Sequence, residues 1–365
     1  MRNKEQVSAL QIAFMVMLFE IGSTPLFLLG SKAKQDSWLA MCAGSAAGLL
    51  LLLLLLWIQS RHPKLDLIAM LKLYFGKSAG SAAGVVYCLY FAYQSMRNVR
   101  DLGELTALTL LPRTPMAITM LIVILLALYA IWKGAEVVFR LPEVLLPLML
   151  SFYAVLVLLL GIMGMMDFSR LTPVLEDGLK PILRAALPDI VSFPFGQTIV
   201  FLMLWGLREK PGVPAKKTLL AYLCVSAFLI FMNALNVAVL GPAIAGNSQL
   251  PFLKTVRTLS NLKFVERLDI LVTVQLFIGL LIKMMLFFFC AVKALCALTG
   301  KSAKRWVFPV GALIYGTSFI ARDYSQHIAI GLGPSLKIDP LFQVAVPLLL
   351  AVLILLRGRA RHPAA

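Results

Sequence analysis

The chain has 365 residues, 60% hydrophobic and 14% charged, with a formal net charge of +17. A water-soluble domain of this length does not carry so many uninterrupted apolar runs, so the composition places the chain in a bilayer. The basic surplus does not mark a nucleic-acid binder, because Lys and Arg stand between apolar segments rather than along one polar face.

The first apolar run, about 9–30, follows Met1-Arg2-Asn3-Lys4-Glu5. It is too long for a signal-peptide core and lacks a small-residue cleavage site, so it is expected to be a retained first span. Gly22-Ser23-Thr24-Pro25 interrupts it. Gly and Pro inside a spanning helix free backbone N–H and C=O groups that hydrocarbon cannot satisfy, so such a break belongs where protein encloses a cavity. Further spans are expected at 38–59, 79–109, 116–133 and 143–166, then at 187–207, 218–241, 269–297, 306–322 and 340–356. The sixth run carries a second break, Ser192-Phe193-Pro194-Phe195-Gly196-Gln197. The alternative reading of each break is a packing kink. Against it, each joins Pro with Gly and small or polar residues.

Ten spans put both ends of the chain on one side. That side would carry 19 Lys and Arg against 12 on the other, and net charges of +14 against +3. Both termini are therefore expected in the cytoplasm. Breaks in the first and sixth spans divide one domain, 1–365, into repeats at 9–166 and 187–356. Five spans is an odd number, so the second copy is inverted, and paired broken helices point to a central transporter-type site. Between spans, Asp66 to Phe75 is amphipathic and bounded by Pro63 and Gly76, which predicts a helix lying in the interface. The stretch from Leu171 to Leu187 is a candidate short helix on the outer face. The outer loop 241–263 is either a partner contact or a simple connector.

Two charges stand inside apolar spans: Glu20, just before the first break, and Lys283 in the middle of the eighth span. A charge at the bilayer centre costs roughly 2.5–3.5 kcal/mol, so both are expected to face the bundle interior and to approach one another beside the break. Such a pair either couples an ion or proton, with the ammonium in place of a sodium ion, or only holds two helices in register. The third span places Tyr90, Gln94, Arg97, Asp101 and Glu104 on one face, with Arg97–Asp101 and Arg100–Glu104 spaced for ion pairs. Either this stripe lines a water-filled vestibule or the span ends near Arg97 in a solvated cap. The apolar face continuing through Leu102, Leu105 and Leu108 favours the vestibule. Glu136, Arg140 and Glu143, and the Glu266-Arg267-Leu268-Asp269 cluster, are read as helix-end charges or gate pairs.

Backbone N–H groups at a half-helix start suit a carboxylate, and freed carbonyls suit an ammonium, so the breaks fit a small amino acid. Ser23, Thr24, Ser192, Gln197 and Thr198 supply short polar groups, and Phe193 and Phe195 supply an apolar wall. Thr273, Gln275 and Gly279 add polar groups and room on the eighth span, or simply join helices. No catalytic constellation, phosphate loop or metal cluster is legible. Cys42, Cys88, Cys224, Cys290 and Cys296 have no CxxC spacing and read as small apolar side chains. The chain is expected to be no enzyme and to use no cofactor.

Several segments together carry a resemblance: GSTPLFLLG (22–30), RNVRDLGEL (97–105), GAEVVFRLPEVLLP (134–147), SFPFGQTIVFLMLW (192–205) and ERLDILVTVQLFIGLLIK (266–283). In this order the chain resembles endospore germination permeases, the B subunits of nutrient germinant receptors in spore-forming Firmicutes. The resemblance implies the amino acid–polyamine–cation transporter superfamily with a LeuT-like fold, an all-α membrane protein. It implies the spore inner membrane, A-type and C-type partner subunits, and sensing of an amino-acid-like germinant rather than bulk transport. Carried onto this chain, the pocket would be lined by Gly22, Ser23, Thr24, Tyr90, Gln94, Phe193, Phe195, Gly196, Gln197, Thr273 and Gly279. Glu20, Lys283, Arg100 and Glu104 would form the intramembrane charges. The family often has an acid at Gln197 and an aromatic near Gln275, departures that bear on the ligand rather than the fold. The alternative function is an ion- or proton-coupled amino-acid symporter.

Overall fold

The computed structural model describes residues 7–208, 212–248, 250–260 and 269–358. Met1 to Glu5, the Glu266-Arg267-Leu268 part of the charged cluster and His362 lie outside the described residues. Among the described residues the fold is all-helical, with one isolated bridge between Val7 and Arg208. Leucines on several helices face outward, among them Leu50, Leu126, Leu158 and Leu355, each half exposed or more. A soluble protein would bury that much contiguous apolar surface, whereas hydrocarbon accepts it.

Helix α1 (Ala9–Ile21) starts at a capping box: Gln11 N donates to Ser8 Oγ (3.1 Å), and Ser8 N donates to Gln11 Oε1 (2.8 Å). It stops at Gly22, and a short 3-10 turn (Thr24–Leu26) follows. Then come α2 (Ser37–Arg61), the short α3 (Leu67–Phe75) and the long α4 (Lys77–Thr109). Helix α3 is the short amphipathic helix expected over Asp66 to Phe75. Asp66 caps it by accepting from Ala69 N (2.9 Å), while Leu67, Ile68, Met70, Leu71 and Tyr74 are buried. Lys72 Nζ reaches the carbonyl of Ala297 (2.7 Å) and Arg357 Nη1 that of Tyr74 (2.7 Å), which ties α3 to two later helices.

Helices α5 (Met116–Lys133) and α6 (Ala135–Ile162) follow. The fifth span was expected at 143–166 but is helical from Ala135. Pro142 and Pro147 sit inside the helix instead of marking its start. Helix packing and local adjustment tolerate such prolines in a membrane. On the loop after α6, the Ser169 hydroxyl hydrogen-bonded to Asp167 holds that carboxyl below its usual range. Helix α7 (Leu179–Ala185) is the expected short helix of the 171–187 stretch, and it runs on into a π turn at Ala186–Ile190. Past the second break, Phe195–Met203 winds as a 3-10 helix, wholly buried. At about 2.0 Å per residue those nine residues reach farther than an α-helix would.

The remaining helices are α8 (Ala215–Leu240), α9 (Pro242–Asn247), α10 (Pro251–Ser260), α11 (Asp269–Thr299), α12 (Ala303–Thr317), α13 (Tyr324–Ile330), α14 (Leu336–Pro340) and α15 (Val346–Arg357). The last three, joined by π turns at Gly331–Ser335 and Leu341–Ala345, make one helical stretch. The tenth span was expected only from 340. Pro334 and Pro340 open wider turns in this stretch without ending it. Seven helical stretches among the described residues are long and apolar enough to cross a membrane: Ser31–Arg61, Met116–Lys133, Ala135–Ile162, Leu179–Leu207, Ala215–Leu240, Ile270–Thr299 and Tyr324–Arg357. Helices α1 and α12, at 13 and 15 residues, are shorter, and the 33-residue α4 carries charges along its length.

Candidate functional site

The first break is built by a close crossing of α1 and α11. A Cβ on Gly279 would run into the carbonyl oxygen of Gly22, and one on Gly22 would stand 2.6 Å from Phe19 O and 3.0 Å from Lys283 Cδ. Both positions therefore require glycine, and they hold the crossing rather than line a cavity. Freed backbone groups are satisfied locally: Gly22 N donates to Leu18 O (3.0 Å) and Thr24 Oγ1 to Glu20 O (2.7 Å). At the second break, Gln197 N donates to Pro194 O (3.0 Å) and Thr198 Oγ1 to Phe195 O (2.8 Å). Two hydroxyls read as ligand-facing are thus spent on backbone.

Lys283 and Glu20 are both fully buried, as expected. The expected approach does not reach ion-pair distance: no contact within 4.0 Å joins them. The stem of Lys283 runs past Gly22, and its ammonium lies 4.6 Å from the ring centre of Phe193 and 5.3 Å from that of Phe19. An aromatic face attracts a cation through its quadrupole. Neither Lys283 Nζ nor the Glu20 oxygens have a hydrogen-bond partner among the described residues.

Phe193 also borders a cavity of about 50 Å³ between the two breaks, α4 and the Tyr324–Arg357 stretch. Ser23 and Phe27 come from the first break, Phe193 and Gln197 from the second. Helix α4 contributes Gln94, Arg97, Asn98 and Asp101, and the last stretch contributes Ser335 and Asp339. The third span remains helical past Arg97 to Thr109, so the interior stripe is a lining and not a solvated cap. Arg100 and Glu104 form the expected pair at 2.7 Å, with both side chains mostly buried. Arg97 and Asp101 do not pair as spaced. Arg97 Nη1 donates to the carbonyl of His327 (2.7 Å), and Asp101 Oδ1 stands 3.2 Å from His327 Nε2. The α13 register offers both residues a nearer partner than their own helix does.

Four expected residues thus line this cavity: Ser23, Gln94, Phe193 and Gln197. Tyr90 lies just behind, its hydroxyl accepting from Gln343 Nε2 (2.8 Å) and its ring stacked on Phe342 at 4.4 Å. Phe195 packs against Tyr222, and Gly196 gives room to the side chain of Gln343. Thr273 is buried, and Gln275 Nε2 reaches the carbonyl of Met149 (3.4 Å), so Gln275 joins two helices. Asn98, His327 and Asp339 were missed. Asn98 sits within the recognised stripe at a position i+4 from Gln94. The other two fell in a presumed loop because the tenth span was started too late.

A family model described as "Spore germination protein" matches residues 6–327. Spore germination protein KB of Bacillus subtilis (strain 168) is 30% identical over 99% of this chain and 97% of its own length. Spore germination protein YndE of the same organism is 22% identical over 58% of each chain. In fold, the chain is similar to Mhp1, a nucleobase-cation-symport-1 family transporter solved in a closed conformation with bromovinylhydantoin bound. The TM-score is 0.66 at 15% identity, over 92% of this chain and 78% of that one.

Proposed function

This chain belongs to the spore germination protein family, and from that membership we propose that it is the membrane subunit of a nutrient germinant receptor, binding a small amino acid between its two breaks. It is an integral membrane protein, and the proposed place is the spore inner membrane with both termini in the cytoplasm. Helices α1, α4 and α12 are counted as spans beside the seven long apolar stretches, giving ten in two inverted sets of five. The role is binding and signalling, not catalysis.

One observation carries the reading: a small polar cavity takes lining residues from both breaks, Ser23 and Gln197. At about 50 Å³ it has room for roughly three or four waters. Even alanine has six non-hydrogen atoms, so binding an amino acid requires the lining elements to part. A ligand that fits only the parted arrangement shifts the population toward it. A-type and C-type receptor subunits are the proposed recipients of that shift.

The second reading is a coupled amino-acid symporter, favoured by the likeness in fold to a transporter. Lys283 would then stand where a coupling cation binds. Proteoliposomes of the purified chain separate the two. Saturable amino-acid binding without accumulation is expected. Accumulation driven by an imposed proton gradient would make the chain a symporter, and no binding of any amino acid would overturn both readings.

A further inference from the structure

We infer that the cavity recognises a primary ammonium group through a chain of side-chain amides whose direction is set by Asp339. The inference deepens the proposed amino-acid reading and rests on it.

Amide side chains have two ends, one donating and one accepting, and neighbours decide which end faces where. An ionised carboxylate only accepts. Gln94 Nε2 donates to Asp339 Oδ1 (3.0 Å), which turns Gln94 Oε1 away from it. That oxygen accepts from Gln197 Nε2 (3.3 Å). Gln197 Oε1 is left without a partner among the described residues. Asn98 is fixed independently, because its Nδ2 donates to the backbone carbonyl of Gln94 (2.8 Å). Its Oδ1 is likewise unpartnered. Gln94, Asn98 and Gln197 line the cavity and are 3–5% exposed.

A buried polar atom with no partner costs free energy, so two such acceptors on residues that line one small cavity call for a donor. The charges agree. Asp101 and Asp339 line the cavity against one guanidinium, that of Arg97, which is already engaged by the His327 carbonyl. A cation with several N–H donors fits both conditions. The break carbonyls of Glu20 and Phe195 are occupied by the hydroxyls of Thr24 and Thr198, which removes two alternative acceptors.

The test uses the full chain in lipid nanodiscs. Each proteinogenic L-amino acid is titrated singly, and the strongest binder is compared with its deaminated acid and its N-trimethyl derivative. The derivative keeps the positive charge but has no N–H. Both analogues are expected to bind about ten- to a hundredfold more weakly, the effect of losing hydrogen bonds to a charged group. Gln197→Met, close in volume, should weaken the parent amino acid by about tenfold and largely abolish its advantage over the N-trimethyl derivative. Asp339→Asn should weaken it as well, and serves if Gln197→Met does not fold. If the N-trimethyl derivative binds as well as the parent, the amide-relay inference fails while the amino-acid reading stands. If no amino acid binds, both fail.

Discussion

The molecule keeps two sets of buried polar groups that both reach Phe193, and they are built on different principles. On one side, Lys283 and Glu20 sit among aromatic rings and a glycine–glycine crossing, with no hydrogen-bond partner. On the other, Arg97, Asp101, His327, Gln94 and Asp339 engage one another across two helical elements. A cross-linked network specifies one arrangement of its helices even with single acceptors left over, whereas an unpaired buried charge leaves free energy to be recovered in another arrangement. The first set thus has free energy to release if its surroundings rearrange, and the second holds its helices in register. Phe193 touches both sets: it borders the cavity and lies under the Lys283 ammonium.

Single substitutions should separate the two sides. The largest loss is expected at the buried ion pair of α4. Arg100→Met strands the mostly buried Glu104 and should destabilise by about 3–5 kcal/mol, read as a large drop in Tm in detergent or nanodiscs. A drop no larger than that of an exposed pair would mean the pair is solvated. Next comes Gly279→Ala. The added Cβ meets the Gly22 carbonyl, and overpacking there should cost about 1–3 kcal/mol. An unchanged Tm would mean that α1 and α11 cross more loosely. Lys283→Met should act in the opposite direction. It removes a buried ammonium, loses no hydrogen bond and keeps much of the volume, so Tm should rise by the equivalent of about 1 kcal/mol. The same variant should blunt any response to amino acids. A fall in Tm would show that Glu20 or the rings of Phe19 and Phe193 stabilise the Lys283 ammonium by more than its burial costs.

Much of this was readable from the chain. The two breaks, the short amphipathic helix α3 and the interior stripe of α4 all followed from Gly and Pro placement and from helical spacing. The burial of Glu20 and Lys283 followed from the cost of a charge in hydrocarbon. What could not be read was partner choice. Arg97 and Asp101 have ideal spacing for each other, yet both turn to the His327 region, which lies 230 residues from Arg97 along the chain. Prolines misled in both directions. Pro25 and Pro194 mark true breaks, while Pro142, Pro147, Pro334 and Pro340 lie within helix or π turns. A proline's effect depends on whether neighbours can take up the freed carbonyl, which local sequence does not record. Asp339 was lost to the site for that reason alone.

The smallest effect is expected far from both sides. Glu136 and Arg140 have the same i,i+4 spacing as Arg100 and Glu104, but their side chains are 48% and 70% exposed and their charges 3.9 Å apart. Water screens such a pair and side-chain entropy opposes it, so Arg140→Ala should change stability by less than about 0.5 kcal/mol. Adding salt should shrink even that difference. A loss comparable to that of Arg100→Met would mean that the start of α6 is covered and its pair shielded from water.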